Sequence, residues 1–349
     1  MRKRFHSLKK LLALLFAAAL LFACGCAEEP KEKQLFAMDT FMQLRAYGSG
    51  AAEGLKQAED SIKRLDALLS ATDEGSEIYA LNCGAGAAEV SAETYDILQK
   101  TLSLSKELGD CFEITIRPVM LAWGFTGGET RVPSDGEIAA ALALVGDERI
   151  TLRPDGRTVE KPEGVMIDLG AAAKGCAADA AAELMREAGV TSALLDLGSS
   201  TITAIGSKPG GKSWRIAVRD PNDAAAYAGI ISAEDISVST SGGYERFFTD
   251  DAGNKYWHII DPTTGRPAHS GALSVTVISE SAFYGDVLST ALFVMGPAAA
   301  EEYWRARGDF DFIMLLEDGS ILITPGAAEV FKTQGAWADA DMILAWTGK

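Results

Sequence analysis

The chain has 349 residues with 49 acidic and 32 basic side chains, which give a formal net charge of −17 at pH 7. A surface this acidic argues against nucleic-acid binding, because that binding depends on basic side chains that neutralise phosphates. A phosphate-bearing ligand must therefore be held locally, by a metal ion or by backbone donors. No Pro- or Ser-rich linker divides the sequence, so we predict one large α+β domain of mixed sheets with flanking helices.

The N-terminal segment has the pattern of an export signal. Five basic residues among the first ten precede thirteen uncharged residues, Leu11 to Ala23. This run is too short for a membrane span, which needs about 20 apolar residues, but it suits the hydrophobic part of a signal peptide. We expect residues 1–23 to be removed on export, which leaves a chain with a net charge of −22.

The end of this signal predicts lipidation. The segment Leu21-Phe22-Ala23-Cys24 resembles a bacterial lipobox, in which the Cys is lipidated and becomes the new N-terminus. Its thioether and amide acyl chains together satisfy the requirement for two membrane signals in stable anchoring. We expect Cys24 to be the lipidation site, residues 24–33 a polar tether and residues 34–349 the functional domain. An ordinary cleaved signal is the alternative, and Cys26 fits the lipobox pattern less well than Cys24.

Three further cysteines, Cys83, Cys111 and Cys176, have wide spacings and are odd in number. Neither a disulfide framework nor a zinc motif is visible in these spacings. We interpret all three as buried thiols.

Hydrophobic periodicity predicts mainly helices in the first half of this domain and mainly strands in the second. Helices are expected over Ala51–Leu69, Thr94–Leu108, Ser134–Val145, Ala171–Ala188, Tyr284–Met295 and, after a Gly-Pro break, Ala298–Arg307. Strands are expected over Gln34–Tyr47, Ala193–Leu197, Thr201–Ile205, Trp214–Val218, Ala233–Thr240 and Leu273–Ile278, with a terminal hairpin of Phe312–Leu316 and Ser320–Thr324. Ser134 and Glu137 have the spacing of a capping box, which supports the helix that begins there.

The helix from Tyr284 contains a candidate metal-binding pair. Asp286 and Thr290 are four residues apart and therefore lie on the same helical face. A carboxylate and a hydroxyl side by side are the hard oxygen ligands that Mg²⁺ prefers. An Asp and a Thr near a helix start are more often capping or solvated residues, so the pair alone leaves the function open.

The segment from Asp168 to Gly175 predicts an anion-binding turn. Val165-Met166-Ile167 suggests a strand, and the segment then enters the long Ala-rich helix. A helix N-terminus offers free backbone N–H groups and the positive end of the dipole, and Lys174 adds a mobile cation. The spacing matches neither the P-loop nor the dinucleotide-binding pattern, so a plain strand-to-helix turn is the alternative.

A third polar segment runs from Tyr256 to Pro267 and contains the turn Asp261-Pro262-Thr263-Thr264-Gly265. Few folding requirements explain so many turn-forming and polar residues together. His258 lies beside this turn, and an acid–base role and a purely structural role are equally good interpretations of it.

Together these segments resemble the family of FAD:protein FMN transferases, also called ApbE proteins, in order along most of the chain. The resemblance rests on Met38-Asp39-Thr40, on Ser76-Glu77-Ile78 with Leu81-Asn82, on Arg117-Pro118 with Leu121-Ala122-Trp123-Gly124-Phe125, on Asp168 to Gly175, on Thr240 to Arg246, on His258 to Pro267 and on Gly285 to Thr290. Each motif alone is a weak signal, but seven motifs in the same order as in the family do not arise by chance.

The resemblance implies an α+β architecture related to the T-fold and a role for each matching residue. It implies that Mg²⁺ is held by Asp286, Thr290 and the backbone carbonyl of Ala171. It implies flavin contacts from Met38, Trp123, Gly124, Phe125, Asp168, Lys174 and Ile260. His258 matches the histidine proposed as the base, with Asp261 as an alternative carboxylate, and Lys174 would share the charge of the pyrophosphate.

This sequence departs from the usual family pattern at two places. Gly198-Ser199-Ser200 stands where the family usually has Gly-Gly-Asp or Gly-Gly-Asn, which puts a ligand-facing turn in doubt. Gly285-Asp286-Val287-Leu288 replaces Ala-Asp-Ala-Leu but keeps the expected metal ligand.

The implied reaction transfers FMN from FAD to a Thr or Ser hydroxyl of a partner flavoprotein and releases AMP. The family's acceptors are flavin-carrying subunits of redox complexes, and a lipid anchor would hold the enzyme at the extracytoplasmic face of the cell membrane beside them. Two alternatives remain open at this point. The same site could hydrolyse FAD to FMN and AMP with water as nucleophile, or the chain could be a flavin- or solute-binding lipoprotein without catalysis.

Overall fold

The structure is a computed structural model that describes residues 29–345, so the predicted signal peptide, Cys24 and Cys26 lie outside the described residues. Its helices are α1 (Ala51–Leu69), α2 (Glu77–Cys83), α3 (Ala92–Leu108), α4 (Arg117–Trp123), α5 (Asp135–Leu142), α6 (Ala173–Glu187), α7 (Ala282–Arg307) and α8 (Pro325–Val330). Its strands are β1 (Lys31–Ala37), β2 (Thr40–Ala46), β3 (Gly86–Glu89), β4 (Thr151–Leu152), β5 (Thr158–Lys161), β6 (Ala193–Leu197), β7 (Thr201–Ile205), β8 (Trp214–Asp220), β9 (Asp223–Ala233), β10 (Ser237–Gly242), β11 (Phe247–Thr249), β12 (Lys255–Trp257), β13 (Ile260–Asp261), β14 (Arg266–Pro267), β15 (Ala272–Ser279), β16 (Asp311–Leu316), β17 (Ile321–Ile323), β18 (Phe331–Thr333) and β19 (Met342–Leu344).

A nine-stranded sheet in the order β1-β2-β6-β7-β10-β15-β16-β17-β19 forms the centre of the fold. All of its neighbouring strands are antiparallel except β17 and β19, which are parallel. Two three-stranded sheets, β18-β9-β8 and β3-β5-β4, and two hairpins, β11-β12 and β13-β14, surround it. This arrangement confirms the predicted α+β class of mixed sheets with flanking helices.

Two hydrophobic cores cover the two faces of the central sheet. Helix α6 packs against both α1 and α7, and the three helices lie on one face of the sheet, where they build the larger core. The sheet β18-β9-β8 packs on the other face, where Trp214, Ile216 and Ile231 meet Ile313 and Leu315. The cleft described below lies where elements of both layers meet, so the fold itself positions the site.

Helix α6 packs closely on its neighbours because its buried side is made of small residues. Ala177, Ala178 and Ala181 are fully buried in the larger core. A Cβ atom on Gly175 would lie 2.5 Å from the backbone of Ala282 and Phe283, so this position excludes any larger residue. The small residues therefore bring the start of α6 against the start of α7.

Several predicted elements need correction at turns that the sequence does not signal. Gln34–Tyr47 is not one strand but the β1–β2 hairpin, which turns at Met38 and Asp39 with φ of +49° and +58°. Two residues with positive φ match the right-handed twist of paired strands, but Gly or Asn usually fills them. The first strand also begins at Lys31, inside the predicted tether, because charged side chains tolerate the exposed edge of a sheet.

The predicted strand Ala233–Thr240 is also wrong. Strand β9 ends at Ala233 and β10 begins at Ser237, and Asp235 between them has φ of +49°. Asp is one of the few residues that adopt this left-handed conformation with a local hydrogen bond, and its carboxylate accepts one from Gly206 N at 2.8 Å. The apolar residues on both sides of this turn gave the segment the sequence pattern of one continuous strand.

Other predictions are confirmed with small shifts in their boundaries. Helix α5 has the predicted capping box, with Ser134 and Glu137 as mutual partners. The Gly-Pro break within α7 appears at Gly296, whose φ of 74° and ψ of 176° are not helical. The hairpin β16–β17 forms, but α8, β18 and β19 follow it, so it is not terminal. By length and composition α7 could cross a membrane, but it is largely buried in the core.

All three described cysteines are free thiols. Cys111 and Cys176 are half-buried, and burial raises the pKa of the Cys176 thiol to about 12. Cys83 is exposed at the end of α2, so the prediction of a buried thiol is wrong there. The short helix α2 contains too few residues for its exposed face to be recognised from periodicity.

Candidate active site

A cavity of about 970 Å³ opens where the β1–β2 turn, the start of α6, the start of α7 and strand β8 meet. This volume is at the upper end of the range for ligand pockets, about 300–1,000 Å³. Its walls contain most of the residues that the sequence singled out: Met38, Asp168, Ala171, Lys174, His258, Ile260, Asp286 and Thr290. The structure thus brings residues from distant parts of the chain into one site.

The segment that precedes α6 is held by side chains rather than by a strand. The predicted strand Val165–Ile167 is wrong, since Met166 forms only an isolated bridge with Ile116. Asn82 takes the place of a neighbouring strand: its Nδ2 donates to Ile167 O at 2.8 Å and its Oδ1 accepts from Ile167 N at 2.6 Å. The buried amide therefore fixes the direction in which the chain enters the turn.

The turn itself has the donors of an anion site. Asp168 Oδ1 accepts from Gly170 N at 2.9 Å, which bends the chain into α6. The backbone N–H groups of Ala171 and Lys174 donate to no acceptor within residues 29–345. These free donors lie at the positive end of the helix dipole, where an anionic ligand is stabilised.

Asp286 and Thr290 lie one helical turn apart on α7, as predicted. Asp286 is only 5% exposed, and its two oxygens accept from Gly175 N at 3.0 Å and from Thr201 Oγ1 at 3.1 Å. The Thr290 hydroxyl is 3.0 Å from Ser241 Oγ. These hydrogen bonds fix both oxygen-bearing side chains at the cavity wall.

The donor set at this point fits a hard cation such as Mg²⁺. Each carboxylate oxygen of Asp286 has two lone-pair sites, so the two bonds described leave capacity for a metal. Thr290 adds a neutral hydroxyl oxygen, and Ala171 lies on the same cavity wall. Among the described residues no three His, Cys, Asp or Glu side chains cluster as a metal site, so oxygens of a bound ligand or of water would complete the coordination of a cation here.

Lys174 lies between the turn and the carboxylate. Its Nζ is 3.9 Å from Asp286 Oδ1 and 3.4 Å from the backbone oxygen of Gly170. At these distances it makes no tight ion pair, and its three donors can turn toward a ligand in the cavity.

His258 is neutral in this site. Its backbone N–H and its ring Nδ1 both approach the carbonyl oxygen of Arg246, at 3.1 Å and 3.2 Å. Burial lowers the pKa of His258 to about 4, with the positive charge of Arg246 as the next cause. Because a carbonyl only accepts, Nδ1 carries the proton and Nε2 is left as the basic nitrogen.

Four predicted residues do not line the cavity. Trp123, Gly124 and Phe125 lie behind its wall in a separate apolar cluster, where Trp123 Nε1 donates to Gly265 O at 2.7 Å. Met120 and Thr126 form the wall instead.

Asp261 is the fourth. Its Oδ1 accepts from both the backbone N–H and the hydroxyl of Thr263, so its carboxylate stabilises the turn. Flavin contacts from the Trp123 segment and a base role for Asp261 stay predictions.

Sequence reasoning missed two buried donors in the cavity wall. Arg117 Nε and Thr126 Oγ1 are buried and have no hydrogen-bond partner among the described residues. The Arg117 guanidinium has one weak contact, 3.5 Å from Nη1 to Asp168 Oδ2. Since buried donors normally find acceptors, these atoms indicate a ligand with acceptor groups at this end of the cavity.

Sequence reasoning also missed Glu245. Glu245 lines the cavity and is exposed there, while neighbouring protein atoms desolvate its carboxyl group. This desolvation raises its pKa to about 7, although the nearby charges of Lys174 and Arg219 oppose the shift. It lay inside a quoted motif, but no spacing rule marked it as a cavity residue.

One cleft thus contains a helix N-terminus with a lysine, a hard-oxygen pair and a neutral histidine, a combination that suits an enzyme with a phosphate-bearing ligand. A family model described as the ApbE family matches residues 38–314. The chain therefore belongs to the ApbE family, which confirms the resemblance read from the sequence.

Relatives of known name support this membership. A protein of Vibrio cholerae named FAD:protein FMN transferase is 32% identical over 297 residues, which are 81% of this chain and 87% of that relative. A protein of the same name from Treponema pallidum is 30% identical over 331 residues, which are 88% of this chain and 91% of that relative.

Solved structures agree with the fold. The ApbE protein of Thermotoga maritima superposes with a TM-score of 0.80 at 30% identity and covers 86% of this chain and 99% of its own. The flavinyl transferase ApbE of Pseudomonas stutzeri, in its apo form, has a TM-score of 0.77 at 28% identity over 87% of this chain and 97% of its own. The central sheet and its flanking helices are thus the family fold.

Proposed function

We propose that the chain transfers the FMN part of FAD to a Ser or Thr hydroxyl of a partner flavoprotein and releases AMP. The observation that carries this proposal is the single cavity that holds Lys174, Asp286 and Thr290 together with the neutral His258. The names of the relatives suggest the substrate, and the groups that line the cavity support a role for it in each part of the reaction.

The anion-binding side of the cavity would hold the pyrophosphate of FAD. Lys174 and the free N–H groups at the start of α6 would carry part of its negative charge. Asp286, Thr290 and the Ala171 carbonyl would hold Mg²⁺, which when bound supplies charge neutralisation at the pyrophosphate oxygens. An acidic chain thereby binds an acidic ligand through local groups.

Another part of the cavity wall would hold the flavin. Met38, Met120 and Ile260 give this part of the wall apolar surface, and the unpartnered Arg117 Nε and Thr126 Oγ1 give it donors. The isoalloxazine ring combines an apolar body with acceptor oxygens and nitrogens at one edge. The match between these donors and that edge supports flavin as the bound group.

His258 would act as general base. Its neutral Nε2 would accept the proton of the acceptor hydroxyl as that oxygen forms a bond to the FMN phosphorus. The bond from this phosphorus to the AMP oxygen breaks, and AMP leaves with the electron pair. Lys174 would stabilise the charge that develops on the leaving phosphate.

Product analysis tests this proposal. FAD and a magnesium salt are incubated with the chain, with and without a flavin-carrying acceptor subunit, and the nucleotides are separated by chromatography. AMP release that depends on the acceptor, with flavin bound covalently to it, supports transfer. Free FMN and AMP without an acceptor would make the chain an FAD pyrophosphatase, and unchanged FAD would leave a flavin-binding lipoprotein.

We also propose that Cys24 is lipidated and holds the enzyme at the extracytoplasmic face of the membrane. Strand β1 begins seven residues after Cys24, a reach of at most about 25 Å. The domain would therefore work close to the bilayer, beside membrane-bound acceptors. Cys24→Ser should release the protein from the membrane fraction, whereas Cys26→Ser should leave it bound; the reverse result would move the site to Cys26.

A further inference from the structure

Two arginine side chains at the mouth of the cavity have no hydrogen-bond or ion-pair partner among residues 29–345. Strand β8 alternates buried and exposed residues, so Arg215, Ala217 and Arg219 share one face, and all three line the cavity. Tyr227 lies opposite Arg219 on β9, is 51% exposed and lines the same cavity. We call Arg215, Ala217, Arg219 and Tyr227 the β8–β9 strip.

The lack of partners is unusual in this chain. Of the fourteen arginines in residues 29–345, ten form an ion pair, and the exceptions are Arg157, Arg215, Arg219 and Arg246. Arg246 donates from Nη2 to Phe125 O at 3.0 Å, so it holds two parts of the protein together. The side chains of Arg215 and Arg219 make no hydrogen bond or ion pair within these residues, although acidic side chains outnumber basic ones.

The β8–β9 strip lies outside the part of the cavity that contains Asp286 and Thr290, the proposed metal-binding residues. Asp286 is buried, whereas Arg215, Ala217 and Arg219 are all exposed. Glu245 lines the same cavity, and the charges of both Lys174 and Arg219 act on its carboxyl group. A nucleotide ligand is usually enclosed over most of its surface, so these exposed side chains suit a second reactant that arrives from solvent.

Strand β8 is also the edge strand of its sheet, with β9 on one side and no strand from the described part of the chain on the other. An edge strand can pair with an extended peptide through main-chain hydrogen bonds, while side-chain contacts provide specificity. Ala217 between the two arginines leaves space for such a peptide to approach. Arg and Tyr are also the residues that contribute most often to binding energy at protein interfaces.

We propose that the β8–β9 strip is the docking surface for the acceptor protein, and that it binds an extended segment with acidic side chains beside the reacting hydroxyl. The proposal rests on the transferase function. The segment would lie along β8 with its carboxylates at Arg215 and Arg219, and its hydroxyl would enter the cavity toward His258. Because the chain is acidic overall, an acidic segment would be repelled elsewhere, so the strip would also fix its register.

A binding experiment tests the surface without requiring turnover. The FAD-loaded chain is titrated with a fluorescent peptide that has a central threonine flanked by glutamates, and with the counterpart that has lysines instead. We expect the acidic peptide to bind and the basic one not to. Arg215→Glu and Arg219→Glu should each weaken acidic-peptide binding by at least about tenfold, and added salt should weaken it in the wild type.

Arg157→Glu is the matched control, since Arg157 is exposed, unpaired and outside the cavity wall. It should leave peptide binding unchanged. Equal loss in all three variants would reduce the effect to net charge and overturn the proposal. No difference between the acidic and basic peptides would overturn it as well.

A kinetic experiment separates docking from nucleotide binding. With an acceptor that the wild type modifies, Arg215→Glu should raise the KM for the acceptor by at least about tenfold and leave FAD affinity within about twofold. Lysines in place of the acidic residues beside the modified hydroxyl should restore the variant and impair the wild type. A loss of FAD affinity instead would assign the strip to the AMP part of FAD. A wild type that transfers no FMN contradicts the proposed function, while the peptide titration still decides the docking surface.

Discussion

The carboxylate of Asp286 on α7 accepts a hydrogen bond from the backbone N–H of Gly175 on α6, at 3.0 Å. This bond joins the proposed metal ligand to the first turn of the helix whose N-terminus would bind the pyrophosphate. A displacement of either helix would therefore move both groups together. The site is thus pre-organised by the packing of α6 against α7.

The packing at Gly175 can be tested with a matched pair of helical glycines. A Cβ atom on Gly175 would lie 2.5 Å from the backbone of α7, whereas a Cβ atom on Gly136 in α5 meets nothing within 4 Å. We expect Gly175→Ala to lower the free energy of unfolding by about 1–3 kcal/mol and to reduce activity. Gly136→Ala should raise it by about 0.5–1 kcal/mol, because alanine favours a helix. Chemical denaturation measures both, and equal effects would contradict the close contact.

Thr290 is predicted to bind the metal through its hydroxyl. Thr290→Val keeps the shape of the side chain but removes this oxygen, so the magnesium concentration for half-maximal activity should rise by at least about tenfold. Thr290→Ser keeps the oxygen and should stay close to the wild type. Magnesium titrations of initial rates measure this difference. A Thr290→Val enzyme with an unchanged magnesium requirement would show that the hydroxyl serves only its hydrogen bond to Ser241.

His258 is predicted to be the base, and its low pKa sets the pH dependence. The ring is neutral above about pH 4 in the free enzyme, so the transfer kcat/KM should hold at pH 5–7 and fall as pH drops through 4. His258→Gln should lower kcat by about 10²–10⁴-fold with little change in FAD affinity. Rate profiles on both proteins check this. A wild-type profile that falls near pH 6.5 would mean that burial does not depress this pKa.

Asp147 and Glu113 are a pair of carboxyl groups that makes the stability of the fold depend on pH. Stability should fall as pH rises, whereas the transfer rate should rise with pH. Burial raises the pKa of the Asp147 carboxyl well above its usual range, and its hydrogen bond with Glu113 adds to the shift. The folded state therefore keeps a proton that the unfolded state releases above about pH 4, so this contribution to stability declines as pH rises through the folded pKa. Asp147→Asn should be nearly neutral at pH 5 and stabilising at pH 8.

Urea denaturation at the two pH values measures this effect. The prediction concerns the site, because Asp147 Oδ1 also accepts from Ile114 N, and Ile114 O accepts from Asp168 N at 2.7 Å. A wild-type stability that is equal at pH 5 and pH 8 would contradict the claim that Asp147 keeps a proton in the folded state.

The sequence predicted those parts of the fold in which one physical signal dominates. Strands β6 and β7 have the predicted boundaries because apolar residues run between clear turn residues, and α1 agrees because its apolar face repeats without interruption. The turn at Met38 and Asp39 could not be predicted, since its positive φ angles occur at residues that give no local sign of them. Tertiary packing imposes this turn.

The sequence predicted the parts of the site that depend on residues close together in the chain. It did not predict the parts that depend on tertiary packing. The spacing of Asp286 and Thr290 on one helix was sufficient to place them together. The burial of Trp123 behind the wall depends on packing with Phe248 and Tyr256, which lie more than a hundred residues away in the chain. Arg117 and Glu245 became candidates only because the fold leaves their polar atoms at a cavity.

The most direct test of the account is the intact mass of an acceptor flavoprotein after incubation with the chain, FAD and magnesium. The wild type should add the mass of one FMN to the acceptor. Asp286→Ala should add none, while Asp309→Ala, an exposed carboxylate just beyond the C-terminal end of the same helix, should behave like the wild type. An unmodified acceptor together with FMN and AMP in solution would contradict transfer, and an Asp286→Ala enzyme that still modifies the acceptor would contradict the assigned site.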